Sequence, residues 1–278
     1  MNAARPADFP TIGSNAAEAA TVVGGRSDCG VVVLCDHASN ALPPEYGTLG
    51  LPATEHERHI SYDIGAAGVA RALAARLGAP AVLARYSRLL IDPNRGEDDP
   101  TLIMRISDGA VVPGNRGVDS AEWERRVARY YRPYHASVGA VIERALAAGV
   151  APVLVSIHSF TPVMKGVKRP WHAGILWDKD PRLAVPLLAH LRRDSGLVVG
   201  DNKPYSGVLK GDTLWQHGTR RGLAHAIIEI RQDLIGDERG QQAWGERIAV
   251  IVQDILADHA SRERLLRIDV HGSHTDVS

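Results

Sequence analysis

The apolar run "GVVVLC" (30–35) stops on Asp-His-Ala-Ser-Asn, which brings His37 and Ser39 to the end of a strand. A second run, "PVLVSIHS" (152–159), closes on His158, and a third, "AHAIIEIR", carries Glu229 near its end. Two imidazoles and a carboxylate facing one cleft match a catalytic zinc site, which takes three protein ligands and leaves a position open for water. A second carboxylate is then required as general base, because the water must lose a proton as it attacks. Arg88 and Arg95, in "YSRLLIDPNR", could clamp a substrate carboxylate through paired hydrogen bonds.

Each of these residues has a plainer reading. A histidine after a strand is commonly a loop or capping residue. Asp63 can serve as the N-cap of the helix that follows it. Asn94-Arg95 within "DPNRG" reads locally as a turn. Glu229 sits in a β-branched strand, where a carboxylate is costly unless it is functional or paired, and a buried arginine would satisfy it equally well. Ser39 with His37 is the other catalytic reading, a serine amidase. It lacks a Gly-x-Ser-x-Gly elbow and leaves His158 and Glu229 without a task.

The elements that must position these groups follow from periodicity and punctuation. A strand at 30–35 is followed by a Pro/Gly-rich loop and a helix over 63–78, with Asp63 as N-cap and Gly78 as stop. Residues 80–95 read as strand, polar break and strand, and 97–117 as a long irregular excursion of the kind that lines sites. An amphipathic helix spans 120–149 with a kink at Pro133, and strands are expected at 152–159, 173–177 and 223–235. A helix starts on Pro181, "LVVGDNKPYSG" is a strand entering a loop, and 238–260 is a closing helix. This alternation implies an α/β fold with a largely parallel sheet covered on both faces, and ligands bind such sheets beyond the carboxyl ends of the strands. The expected division is an N-terminal arm over 1–28, a single catalytic domain over 29–262 and a tail over 263–278.

Composition excludes several classes. The 278 residues carry 32 basic and 32 acidic side chains, with no basic block, so neither nucleic acid nor a membrane surface is an expected partner. Cys29 and Cys35, the two cysteines, give no disulfide framework, and a reducing cytoplasm is the expected compartment. No signal peptide pattern opens the chain, and no apolar stretch approaches the ~20 residues that cross a bilayer.

Five ordered motifs, "CDHASNALPPEYGTLGL", "HISYDIGAAGVARALAARLGAP", "YSRLLIDPNR", "SIHSFTP" and "GLAHAIIEIRQDLI", together resemble the N-formylglutamate amidohydrolase family over residues 30 to 257. That family is similar to the zinc carboxypeptidase and aspartoacylase superfamily. The resemblance therefore implies a three-layer α/β/α sandwich around a mixed sheet. The relatives' pattern is His-x-x-Glu, an Arg, an Asn-Arg pair, a distant His and a base Glu, and His37, Arg88, Asn94-Arg95, His158 and Glu229 fall in that order. One departure stands out: His37 is followed by Ala-Ser-Asn40, with no glutamate at the third step. An amide oxygen is a poor zinc ligand beside a carboxylate. The helix start that follows the relatives' glutamate matches "DIGAAGVARAL" here, which makes Asp63 the expected second ligand and Asn40 the fallback.

The resemblance implies one Zn2+ per chain held by His37, Asp63 and His158, with Glu229 as base and Arg88 stabilising the oxyanion. The substrate it implies is a small N-acyl amino acid, N-formyl-L-glutamate by the family name, with other N-acyl amino acids or a small peptide-like amide as alternatives. Asn94 and Arg95 would take its α-carboxylate, Tyr205 and Ser206 would supply hydrogen bonds, and Arg231 would orient the base or meet a carboxylate. His59, just before Asp63, is expected to be a solvated loop residue, with rival ligand and supporting partner as its alternatives. A metal-free binding protein on the same fold is the non-enzymatic alternative.

Overall fold

A computed structural model of the protein describes residues 18–276. The chain enters through β1 (Ala20–Val23) and β2 (Val31–Cys35), then α1 (Ala66–Leu77) and β3 (Ala81–Ala84). A small hairpin, β4 (Ile106–Ser107) and β5 (Ala110–Val111), precedes α2 (Ser120–Arg126) and α3 (Arg132–Ala147). Next come β6 (Val153–Phe160), a second hairpin of β7 (Val163–Met164) and β8 (Val167–Lys168), and β9 (Ala173–Leu176). The last elements are α4 (Pro181–Leu191), β10 (Val199–Asp201), α5 (Thr213–His217), β11 (His225–Arg231), α6 (Glu238–Ala257) and α7 (His259–Leu265).

Seven strands form one sheet in the order β1-β3-β2-β6-β11-β9-β10. β3, β2, β6 and β11 run parallel, whereas β1 and β9 pair antiparallel with their neighbours β3 and β11. Side-chain alternation sorts the faces. Val33, Val155, Ile157 and Ile228 meet α1, α4 and α6 in the larger core, while Leu34, Leu154 and Ile227 meet Tyr134, Val138 and Ile142 of α3 in the other. Helices on both faces give the three-layer α/β/α sandwich. On the α3 face the apolar series gives way to Ser156 and His158 on β6 and to Glu229 on β11, toward the carboxyl ends of those strands.

Several segments differ from the sequence expectation. Within the N-terminal arm, Ala20–Val23 adds to the open edge of β3, and residues 1–17 lie outside the described residues. Asp63 is not the cap of α1. That helix starts at Ala66 after Gly65 (φ +80°), and the Asp63 side chain turns toward His158 and Arg88 instead. The second strand expected within 80–95 does not form, because Leu89, Leu90 and Ile91 are buried in two smaller cores outside the sheet. The 120–149 helix is interrupted by a π-helical turn at Val127–Tyr131 immediately before Pro133, whose missing N–H disrupts the regular ladder there. The tail does not hang free: α7 continues into residues that return to the body, where Ser273 is buried and the His274 backbone N–H donates to Asp178. No described helix is long and apolar enough to cross a membrane.

Candidate active site

β2 delivers His37 two residues past its end, β6 carries His158, and Glu229 on β11 is registered directly beside His158. Asp63 returns to the same point after the 38–62 excursion, which closes where the Asp63 N–H donates to the His37 carbonyl at 2.9 Å. Residues distant in the chain therefore converge at one edge of the parallel strands.

One ring nitrogen each from His37 and His158 and one Asp63 oxygen lie within 4.8 Å of one another, all buried. His37 Nδ1 stands 3.4 Å and His158 Nδ1 2.9 Å from Asp63 Oδ2. Behind the rings, His37 Nε2 meets Asp92 Oδ1 at 2.7 Å and His158 Nε2 meets Asp36 Oδ2 at 3.0 Å. An ionised carboxylate accepts only, so each Nε2 donates to the carboxylate behind it, and His158 Nδ1 donates in turn to Asp63. Asp36 also accepts from the hydroxyls of Tyr134, Ser156 and Thr213. Burial opposes ionisation of Asp36 and Asp92, but the histidines outweigh it and hold both carboxyls well below the usual range. Burial likewise works against charge on Asp63 and His158. Arg88 and the imidazoles lower the pKa of Asp63, and Asp36 and Asp63 raise that of His158.

These groups open onto a cavity of about 530 Å³. Eight buried polar side-chain atoms among the described residues lack a hydrogen-bond partner, and six of them belong to cavity-lining residues: His37 Nδ1, His59 Nδ1, Arg88 Nε, Asp92 Oδ2, Glu229 Oε2 and Gln232 Oε1. Unmet hydrogen-bonding capacity on this scale is rare in a core and marks a surface built to meet something else. Burial pushes the Glu229 carboxyl up to about 7, with His158 pulling the other way. A carboxylate poised near neutrality in a cleft suits proton transfer.

Arg88 Nη2 binds Asp63 Oδ1 closely. Asn94 lines the cavity while its Oδ1 accepts the Thr213 N–H, and Arg95 lines it with Nε on Thr101 Oγ1. Tyr205 and Ser206 are in the wall too, the Ser206 Oγ accepting from the Val208 N–H. Arg231 does not join them. Its guanidinium is held by Asp233 and the Trp171 carbonyl. Asn40 donates to the His56 carbonyl and Glu57, away from the cluster, and Ser39 Oγ accepts the Ala41 N–H with no bond to His37. His59 is not the solvated residue expected. It lines the cavity 3.5 Å from Asp63 Oδ1, and burial, with Arg88, depresses its pKa to about 3, so it is neutral. The sequence reading also missed Asp36, Asp92 and Gln232. Their one signal was adjacency, since Asp36 precedes His37, Asp92 opens "DPNR" and Gln232 follows Glu229 by three residues.

The fold and site together define an α/β sandwich whose cleft sets a buried His–Asp–His cluster that could hold a metal ion beside a carboxylate with one unpartnered oxygen. The chain belongs to the N-formylglutamate amidohydrolase family, whose model matches residues 29–236, and is accordingly a hydrolase. It is similar to the gene product Atu2144 from Agrobacterium tumefaciens, with 38% identity, a TM-score of 0.80, and coverage of 86% of this chain and 95% of that one. The N-formylglutamate amidohydrolase from Ralstonia eutropha JMP134 shares the fold at 23% identity and a TM-score of 0.62, over 88% of this chain and 98% of that one. No curated protein matches the chain.

Proposed function

We propose that this protein hydrolyses the amide bond of an N-acyl amino acid, foremost N-formyl-L-glutamate, with one zinc ion held by His37, Asp63 and His158. The observation that carries the reading is His37 Nδ1, which is buried, without a hydrogen bond, and turned with His158 Nδ1 toward a single carboxylate oxygen. Two imidazoles and a carboxylate are a donor set suited to zinc, and carboxylates behind the rings are the usual support of such ligands. When bound, the ion supplies Lewis acidity that polarises the acyl carbonyl and makes water acidic near neutral pH.

The chain's own residues then do the rest. Glu229 takes a proton from the attacking water and delivers it to the leaving nitrogen, a relay its raised pKa suits in both directions. Arg88 is held in place by Asp63 and turns an unpartnered Nε to the acyl oxygen as negative charge develops there. Asn94 and Arg95 receive the α-carboxylate. The C–N bond breaks, the acyl carbon gains the water oxygen, and the nitrogen gains the proton, giving formate and L-glutamate.

Turnover of N-formyl, N-acetyl and N-succinyl amino acids, before and after chelation, tests this reading. N-formyl-L-glutamate hydrolysis is expected to vanish with chelator and return with added zinc. Activity indifferent to chelator, with Ser39 labelled by a fluorophosphonate, would sink it.

A further inference from the structure

Gln232 follows Glu229 by three residues, and both line the cavity. β11 ends at Arg231, and a single 3-10 turn, Gln232–Leu234, follows at once. That junction is pinned from several sides. The Arg231 N–H donates to the His172 carbonyl at 2.9 Å. Its guanidinium grips Asp233 through Nε at 2.7 Å and Nη2 at 3.2 Å, and Nη1 donates to the Trp171 carbonyl at 3.3 Å. The Ile235 N–H closes the turn on the Gln232 carbonyl. Arg231, which stands away from the cavity, thus fixes the backbone that carries Gln232 into its wall.

Gln232 Oε1 is shielded from solvent and has no donor among the described residues. A buried amide oxygen in that state costs free energy until a donor arrives. Three of the unpartnered atoms around the cavity are acceptor oxygens: Asp92 Oδ2, Glu229 Oε2 and Gln232 Oε1. Asp92 already serves His37 through its other oxygen, and Glu229 is engaged with the water proton in the hydrolytic reading. Gln232 Oε1 is the neutral one of the three. It takes up no proton, so it can hold an N–H without competing with the base.

A secondary amide brings one such hydrogen. As water adds to the carbonyl carbon, the nitrogen becomes pyramidal and its lone pair must face the acid that protonates it. The N–H is thereby directed away from that acid, and an acceptor placed there favours this arrangement over the planar ground state. An ester of the same shape has no hydrogen to offer.

We infer that Gln232 Oε1 accepts the N–H of the scissile amide, orients the nitrogen lone pair toward Glu229, and makes the site selective for amides over matched esters. The inference rests on the hydrolytic reading above and adds a substrate-binding residue to it.

Two pairs of compounds test it on the zinc-loaded protein. Turnover compares N-formyl-L-glutamate with its ester counterpart, O-formyl-L-2-hydroxyglutarate. Calorimetric binding compares L-glutamate with glutarate, which lacks the nitrogen. Gln232→Met keeps the length of the side chain and removes the amide oxygen. It should lower the amide-to-ester ratio of kcat/KM by about 10-fold, with the ester little affected, and lower the binding preference for L-glutamate in parallel. Zinc content and the circular dichroism spectrum should stay those of the wild type. A ratio unchanged in either pair, or an equal loss on both members of a pair, overturns the assignment. A wild type that hydrolyses neither formyl compound sinks the hydrolytic reading. The binding pair then decides alone: a preference for L-glutamate that falls in Gln232→Met upholds the acceptor, and one that persists, or is absent from the wild type, overturns it.

Discussion

Asp212 caps α5 through its bond to the Trp215 N–H at 2.6 Å and is buried in the cavity wall. Burial, reinforced by the charge on Asp36, pushes its carboxyl up to about 7. A raised pKa means the fold favours the protonated form. That contribution is complete below the ordinary carboxyl pKa and is lost as pH rises through about 7. Asparagine caps as well as aspartate and carries no charge. Asp212→Asn should therefore unfold like the wild type at pH 3 and be more stable by about 2–4 kcal/mol at pH 9, read by denaturant titration. Equal stability at both pH values would show that Asp212 ionises freely. His37, His158 and Glu229 were legible because each is a polar residue interrupting or ending an apolar run. Asp36, Asp92 and Asp212 were not, because a carboxylate beside a motif says nothing of what it faces until strand register and loop return are fixed.

The segment from Arg88 to Arg95 has no regular structure of its own and is held by its neighbours. Arg126 of α2, 2% exposed, bonds Glu122, the Leu90 carbonyl and Asn115 Oδ1, while Asn115 Nδ2 donates to the carbonyls of Leu89 and Met104. The 97–117 excursion and α2 thus hold the backbone that presents Arg88, Asp92, Asn94 and Arg95. Arg126→Met would leave Asn115 Oδ1 and the buried Leu90 carbonyl without this donor, while Glu122 keeps Arg125, a loss of about 2–4 kcal/mol. The expected result is a clear fall in melting temperature together with a raised KM. A melting temperature within a degree of the wild type would remove Arg126 from this role. Leu-Leu-Ile reads as strand because local pattern cannot tell burial in the sheet from burial beneath a loop. The excursion was recognisable as structureless, but its role in covering those residues was not.

At the scale of the whole molecule, alternation of strands and helices was enough to give the layers and the parallel core of the sheet. It could not show that β1 adds an edge strand or that the tail returns to Asp178, because both depend on contacts made only after the core has formed. The parallel strands end on one edge, and that edge gathers residues 37, 63, 158 and 229 from separate connections. Asp63 was placed in the cluster by matching a helix start, and the structure brings its carboxylate between the two imidazoles. The cavity belongs to no motif and became visible only with the fold. Glu229→Gln tests the central claim, that this edge holds a metal and a separate carboxylate base. The account predicts one equivalent of zinc per chain, as in the wild type, with kcat on N-formyl-L-glutamate lower by about 100-fold or more. Wild-type turnover in Glu229→Gln, or turnover in a native chain that holds no stoichiometric metal, would contradict it.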